Sequence, residues 1–344
     1  MNGRPTDANP PFAMRAAWRK LAQAELGPLL ALLAIVLLFA AADHFLGAGR
    51  FASVRNLRIV LNQTSIVAVA SLGMTLVLIA GGIDLSVGTG LTLCATVMAY
   101  CLKSNCPISI TVLATVATGC LCGLVNGVLI SALGVVPFVV TLGTMTIYLG
   151  IGKIICDEST VFPAWDQIPR WLHALCSTRP PDVVLGVVPN VPWGVLLAAA
   201  LAVAVSLLLH FTVFGRHAFA LGSNELTARL CGIHVPGVKI AVYTIAGFFA
   251  GMAGIYHFAT LKIANPVEGV GLELQVIAAV VIGGASLSGG RGSVAGSLTG
   301  AAIMAVIRSG CDQLRVPNPY QEMLIGAIII AAVAVDQFRQ REPA

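Results

Sequence analysis

Charge is what this sequence has least of. Only 10% of its 344 residues are Asp, Glu, Lys or Arg, less than half of the roughly 25% that a soluble domain carries. So few charges cannot cover the surface of a water-soluble enzyme, and a chain that is 57% hydrophobic is not disordered. The marks of common chemistries are missing too. There is no GxxxxGK[ST] loop to cradle the phosphates of ATP, no HExxH pair, and no Ser/Asp partner beside any of the six scattered histidines. The nine cysteines lack CxxC and Cys/His spacing, so free thiols are expected and no metal site. Only Cys156 and Cys176 share a polar loop, where an oxidising compartment would let them pair.

What is present is apolar length. Mean hydropathy is +0.90, too high for an outer-membrane barrel, whose strands alternate apolar and polar residues. A hydrocarbon core of about 30 Å needs roughly 20 apolar residues per helix. By that measure spans fall near 27–46, 57–80, 85–102, 108–130, 135–155, 193–214, 238–260, 272–287, 292–310 and 320–338. The expected fold is therefore all-α: a polytopic transmembrane bundle of about ten spans, with the lipid bilayer as its solvent. Arg15, Arg19 and Lys20 precede the first run as in a signal peptide. That run is longer than most signal cores and more spans follow, so a retained first helix is expected.

The expected organisation is an N-terminal segment 1–26, a membrane domain 27–338 and a tail 339–344, with long polar interruptions at 156–192 and 215–239. An even span count puts both termini on one side. The 20 Lys and Arg divide equally between the two sides, so charge does not choose the orientation. The net charge of +5 sits in short loops and implies no nucleic-acid partner.

Glycine is plentiful and patterned. Gly119, Gly123 and Gly127 share one helix face, as do Gly292, Gly296 and Gly300, and Gly247 with Gly251. Spacing of four lets helix backbones approach closely. An internal echo also appears, since residues 81–88 (GGIDLSVG) and 283–290 (GGASLSGG) share the pattern GGxxLSxG after an apolar run. On the span count both turns face the same side, as in a parallel repeat.

Few polar residues lie in or beside the spans. Asp84 follows Gly81 and Gly82 between two apolar runs, and reads either as an intramembrane cation site or as a cap on a helix starting at Leu85. Asn62, Gln63, Thr64, Asn126, Thr141, Glu273, Gln275 and Arg308 mark either an inward-facing polar seam or interhelical hydrogen bonds. The sharpest segment is 215–239. There Ser223 or Asn224 can cap a short helix, Glu225 suits its positive end, Leu226 and Leu230 share a face, and Gly232 ends it. Such a helix fits a groove on a soluble partner, or else rests on lipid headgroups.

Five motifs in order carry a family resemblance: GGIDLSVG at 81–88, NGVLI at 126–130, PFVVTLGTM at 137–145, GSNELTARLCGI at 222–233 and GGASLSGGRGSVAG at 283–296. Together they resemble the ribose/xylose/arabinose-type permeases of bacterial ABC sugar importers, over residues 55 to 335. The resemblance implies a ten-helix, multi-pass inner-membrane subunit with both termini cytoplasmic, and a function in transport, not catalysis. It implies a paired second permease chain, by default a homodimer, an ABC ATPase subunit that holds the ATP and magnesium, and a periplasmic sugar-binding protein docking on the 156–192 side. This chain itself would hold no cofactor. Ser223, Asn224, Glu225, Thr227, Ala228, Arg229 and Gly232 would form the cytoplasmic coupling helix, with Glu225, Ala228 and Gly232 matching the family's E-x-x-A-x-x-x-G. Asn62, Asn126, Phe138, Thr141 and Glu273 are candidates for the sugar pathway, and Gly81, Gly82 and Asp84 for a structural turn or cap. Two other readings stay open: a secondary transporter coupled through Asp84 or Glu273, and a permease of the related branched-chain amino acid importers, which share a GGxDLS-like turn.

Overall fold

The structure, a computed structural model, describes residues 12–47, 49–177 and 191–341. Apolar runs become helices because hydrocarbon offers the backbone no partner outside its own segment. Breaks fall where the sequence supplies a cap or a proline. They give α1 (Phe12–Leu46), α2 (Val54–Ile79), α3 (Val87–Lys103), α4 (Ile108–Leu133) and α5 (Pro137–Ile155). A short α6 (Arg170–Leu175) leads to α7 (Trp193–Phe211), α8 (Val213–Ser223) and α9 (Glu225–Leu230). The chain closes with α10 (Val235–Leu261), α11 (Leu272–Ile282), α12 (Val294–Gln313) and α13 (Asn318–Arg341). Ser53 caps α2 by accepting from the Asn56 N–H, and Pro137 opens α5 where its missing N–H costs nothing. Among the described residues the only extended pairing is a single antiparallel bridge between Val161 and Ala264.

Seven of these helices are long and apolar enough to cross a membrane: Leu26–Phe45 within α1, and α2, α4, α5, α7, α10 and α12. α3 and Asn318–Ala334 of α13 are shorter apolar helices. Two expectations need correction. The run 272–287 is not one span, because α11 has 11 residues and rises only about 16 Å. Residues 262–271 lead into it without forming an α-helix, and pack against α3, where the Thr92 hydroxyl donates to the Pro266 carbonyl at 3.2 Å. The stretch 215–239, expected as a loop around one short helix, is mostly helical: α8 runs to Ser223 and α10 already starts at Val235.

α2 is the buried centre. Leu72, Met74, Leu76, Leu78 and Ile79 are all enclosed, as expected for a helix apolar on every side. α4 and α10 cross antiparallel through the glycines singled out above. A Cβ at Gly123 would overlap the Tyr243 carbonyl, and one at Gly119 the Gly247 carbonyl. The side chains are missing there because backbone occupies their place.

Contacts between distant connections gather at two ends of the bundle. At one end Gly290 N–H donates to the Ile79 carbonyl at 2.9 Å, joining the α2–α3 and α11–α12 turns. At the other, Asn56 Oδ1 accepts from Ser309 Oγ (2.8 Å) and Gln313 Nε2 (3.0 Å), and Gln167 Nε2 donates to the Lys103 carbonyl at 3.2 Å. Cys156 and Cys176 are both free thiols on this second side. Residues 178–190 of the 156–192 interruption, residues 1–11 of the N-terminal segment and residues 342–344 of the tail lie outside the described residues.

The α4–α10 contact yields a prediction. Gly123→Ala should cost about 1–3 kcal/mol, as overpacking does, and lower the melting temperature of the purified chain. Gly326→Ala, where nothing lies within 4 Å of the added carbon, should leave it level or slightly raised. Equal responses would contradict the packing described.

Candidate functional site

Three glycine-bearing segments meet at the first end of the bundle. α2 ends on Gly81, whose φ of +79° only glycine adopts freely. Gly81 N–H then reaches Leu78 and Gly82 N–H reaches Val77, both at 2.9 Å, which closes the helix with a Schellman motif. α11 ends the same way, with Gly284 at φ +94° donating to Val281 and Ala285 to Val280. The echo thus has a common structure, though its helix caps match one residue out of the sequence register, Gly81 corresponding to Gly284. Both turns lie at the same end, as a parallel repeat requires.

Gly222, near the end of α8, fits between these turns. A Cβ on it would overlap the Ile79 carbonyl and crowd Gly290 N, while one on Gly289 would meet Gly81 and Gly222 together. Ser223 sits beside Gly290. The segment carrying α9 is therefore seated backbone to backbone on both turns.

α9 itself follows from local chemistry. Asn224, not Ser223, is its cap: Oδ1 accepts from the Thr227 N–H at 2.9 Å, a contact worth about 1 kcal/mol. Glu225 in the first turn pairs with Arg229 one turn on (3.3 Å) and with Lys239 of α10 (2.9 Å). Gly232, at φ +81°, ends the helix as Ile233 N–H reaches the Ala228 carbonyl at 3.1 Å. Ala228 is buried at 3% exposure, whereas Leu226 and Leu230 are 73% and 88% exposed. One edge of α9 holds to the bundle, and an apolar edge faces outward without a partner among the described residues.

Asp84 does not cap a helix starting at Leu85. α3 begins at Val87, and Asp84 Oδ1 instead accepts from Ser86 N (2.8 Å) and Ser86 Oγ (2.6 Å) in a turn ahead of the helix. Burial pushes this carboxyl upward, opposed by the two Ser86 bonds. Ser286 in the second turn repeats the arrangement, accepting from Ser288 N at 3.2 Å. Among the described residues no three His, Cys, Asp or Glu side chains converge as a metal site.

From Asp84 a polar chain runs inward. Asn126 Nδ2 donates to Ser86 Oγ (2.8 Å), and Tyr148 OH reaches Asn126 Oδ1 (3.1 Å) and the Cys122 carbonyl (2.8 Å). Thr141 and Tyr243 both donate to the Ile83 carbonyl, at 3.2 and 3.4 Å. Asn126 and Thr141 are thus brought together around the first turn. Asn62 and Glu273 are elsewhere. Asn62 Nδ2 donates to the Cys176 carbonyl at 2.9 Å, anchoring the 156–177 segment on α2. Glu273 Oε1 caps Gly271 N–H at 2.9 Å at the start of α11, while its Oε2 is buried without a partner. Phe138 is 45% exposed near the start of α5. Sequence reasoning singled out neither Ser86, Tyr148 nor Tyr243. Ser86 lay inside the GGIDLSVG motif and was legible there; the tyrosines, 22 and 160 residues from the groups they bond, carried no local signal.

The chain is similar in sequence to several known transport proteins. The model of the branched-chain amino acid transport system / permease component family matches residues 56–333. The ribose import permease protein RbsC of Escherichia coli (strain K12) is 37% identical over 290 residues, covering 84% of this chain and 88% of that protein. The fructose import permease protein FrcC of Rhizobium meliloti is 32% identical over 312 residues (89% and 84%). The autoinducer 2 import system permease protein LsrC of Photorhabdus luminescens is 30% identical over 312 residues (91% and 89%). No solved structure matches the chain. With helices of membrane length and a match spanning most of its residues, this chain belongs to the branched-chain amino acid transport system / permease component family.

Proposed function

We propose that this chain is the membrane-spanning subunit of an ATP-driven importer that takes up a monosaccharide or a similarly small polyol. The observation that carries this reading is α9: a capped helix with one buried edge and an exposed Leu226–Leu230 edge, seated on two turns of the bundle. A lever of this kind suits a groove on a soluble motor. The sugar class is supported by the relatives, which are named for ribose, fructose and autoinducer 2 import. A second reading, branched-chain amino acid uptake, is favoured by the family's own description.

In this proposal two copies of the chain pair as a homodimer in the bacterial inner membrane. Each passes about ten times, with α3 and α13 as shorter helical passes, the partly helical 262–282 segment completing the count, and both termini in the cytoplasm. An ATPase subunit holds ATP and magnesium, and each ATPase grips one α9. A periplasmic binding protein docks at the opposite end, near 156–192, and supplies selectivity. Ser223, Asn224, Glu225, Thr227, Ala228, Arg229 and Gly232 form the coupling element: Asn224 and Gly232 shape it, and Glu225 fastens it to Lys239. When the ATPases close, α9 moves with the turns at 81–86 and 283–293, and the helices they join tilt about the pathway. Asn126, Thr141, Phe138, Asn62 and Glu273 remain the proposed pathway set. Phe138 offers an exposed ring to the pathway, and the other four act on it by holding its walls.

Three outcomes test these assignments. Leu230→Asp should weaken co-purification with the ATPase by at least about tenfold, as loss of an interface anchor does, without lowering the chain's melting temperature. Gly232→Pro should abolish co-purification, since proline cannot take a positive φ. Phe138→Ala should change solute uptake at unchanged melting temperature, whereas Asn126→Ala should reduce both, because Ser86 and Tyr148 lose a buried partner at about 1–3 kcal/mol. Uptake of labelled pentoses against leucine by the reconstituted assembly separates the two substrate classes.

A further inference from the structure

Away from the coupling junction, a cavity of about 560 Å³ opens between α1, α11, α12 and α13, well within the roughly 300–1,000 Å³ of small-molecule sites. Its walls are aliphatic: Ala31 and Ile35 of α1, Ile307 of α12 and Ile328 of α13 face into it. Its polar groups lie together where the α11–α12 turn enters, at Ser286 and Arg291. Among the described residues no carboxylate lines it. Arg291 is exposed and makes no ion pair among the described residues. The lining reaches from this turn to Ile307, 13 residues beyond Val294, about 20 Å along α12. One leaflet of a bilayer core is about 15 Å deep.

An apolar slot about one leaflet deep, with an exposed cation at its mouth that makes no ion pair among the described residues, matches an anionic phospholipid in shape and complements it in charge. The geometry points to a specific lipid site: one acyl chain lies in the slot between α1, α12 and α13, and the phosphate rests on Arg291. Solutes of the sugar class do not fit this description, because the walls offer them almost no hydrogen-bond partners. Zwitterionic lipids fit the slot and carry the same phosphate, but their own ammonium group offsets its charge, so they gain less from the guanidinium. The site has a mechanical consequence. Arg291 follows Gly290, whose N–H is bonded to the Ile79 carbonyl and which touches Ser223. A bound phosphate would therefore steady the turn on which the α9 segment is seated. The site depends on the membrane setting of the chain and not on which solute it moves.

The test is native mass spectrometry of the full-length chain released from micelles holding equal amounts of palmitoyl-oleoyl phosphatidylglycerol and phosphatidylcholine. The wild type should retain one phosphatidylglycerol per chain with at least about fivefold preference, the effect of one basic residue on an anionic lipid. Arg291→Gln should reduce retention to the phosphatidylcholine level, while Arg216→Gln, another exposed cation, should change nothing. Ala31→Trp should fill the slot and lower retention of both lipids. Equal retention of the two lipids by the wild type would overturn the proposal, as would a preference that survives Arg291→Gln. Full competition by glycerol-1-phosphate would also overturn it, since the ligand would then be a free anion.

Discussion

The hydrogen bond from Gly290 N–H to the Ile79 carbonyl, with Gly222 pressed against the same carbonyl, is the contact on which the rest of this molecule turns. It joins three chain segments far apart in sequence through backbone alone. Side chains could not do this: any Cβ at Gly222 would occupy the space of the Ile79 carbonyl. The contact fixes where α8 ends, and so where α9 stands relative to α2, α3, α11 and α12. In the proposed function, motion applied to α9 would be delivered to two helical hairpins at once. Long side chains at the same place would yield by changing rotamer; backbone in van der Waals contact does not.

The scarcity of charge follows from the same design. A transport subunit whose energy arrives from outside needs no ion-coupling carboxylates of its own, and the two acidic candidates are both occupied with backbone. Asp84 holds the turn at Ser86, and Glu273 closes the start of α11 at Gly271. Glu273 Oε2, without a hydrogen-bond partner among the described residues, stands against Gly88 at the start of α3, so the short helix α11 meets the first hairpin there too. Polar groups in the bundle thus serve geometry first: Asn56, Asn62, Asn126 and Thr141 each tie one helix to another segment.

Much of this was legible in the sequence, for physical reasons that differ from element to element. Apolar length announces a helix wherever the run is isolated by a cap or a proline, as at Ser53, Pro107 and Pro137. It failed at 272–287, because an apolar run reads the same whether the backbone crosses hydrocarbon in one helix or enters buried in protein and turns helical only at Leu272. It failed again at α8, where Gly215, Arg216 and His217 suggested a loop although Gly215, Ala218 and Leu221 are buried against the bundle and hold a helix. The short helix was recovered nearly whole, since caps, first-turn acids and a terminal glycine are local signals. Its choice of Asn224 over Ser223 was not, because both side chains can accept. The glycine faces announced close approach but not between which helices. Pairings such as Ser86 with Asn126 depend on tertiary placement and leave no trace in spacing.

The central claim is that α9 moves together with the two turns as one body. Distance measurement between spin labels on Cys231, at the end of α9, and on Ser288→Cys, in the α11–α12 turn, addresses it most directly. Both positions are exposed. One narrow distance distribution is expected, unchanged when the partner ATPase binds and when ATP is added, while the two copies of Cys231 in a dimer change their separation. A Cys231–Ser288 distance that shifts with nucleotide would contradict it, and would mean that α9 swings free of the turns.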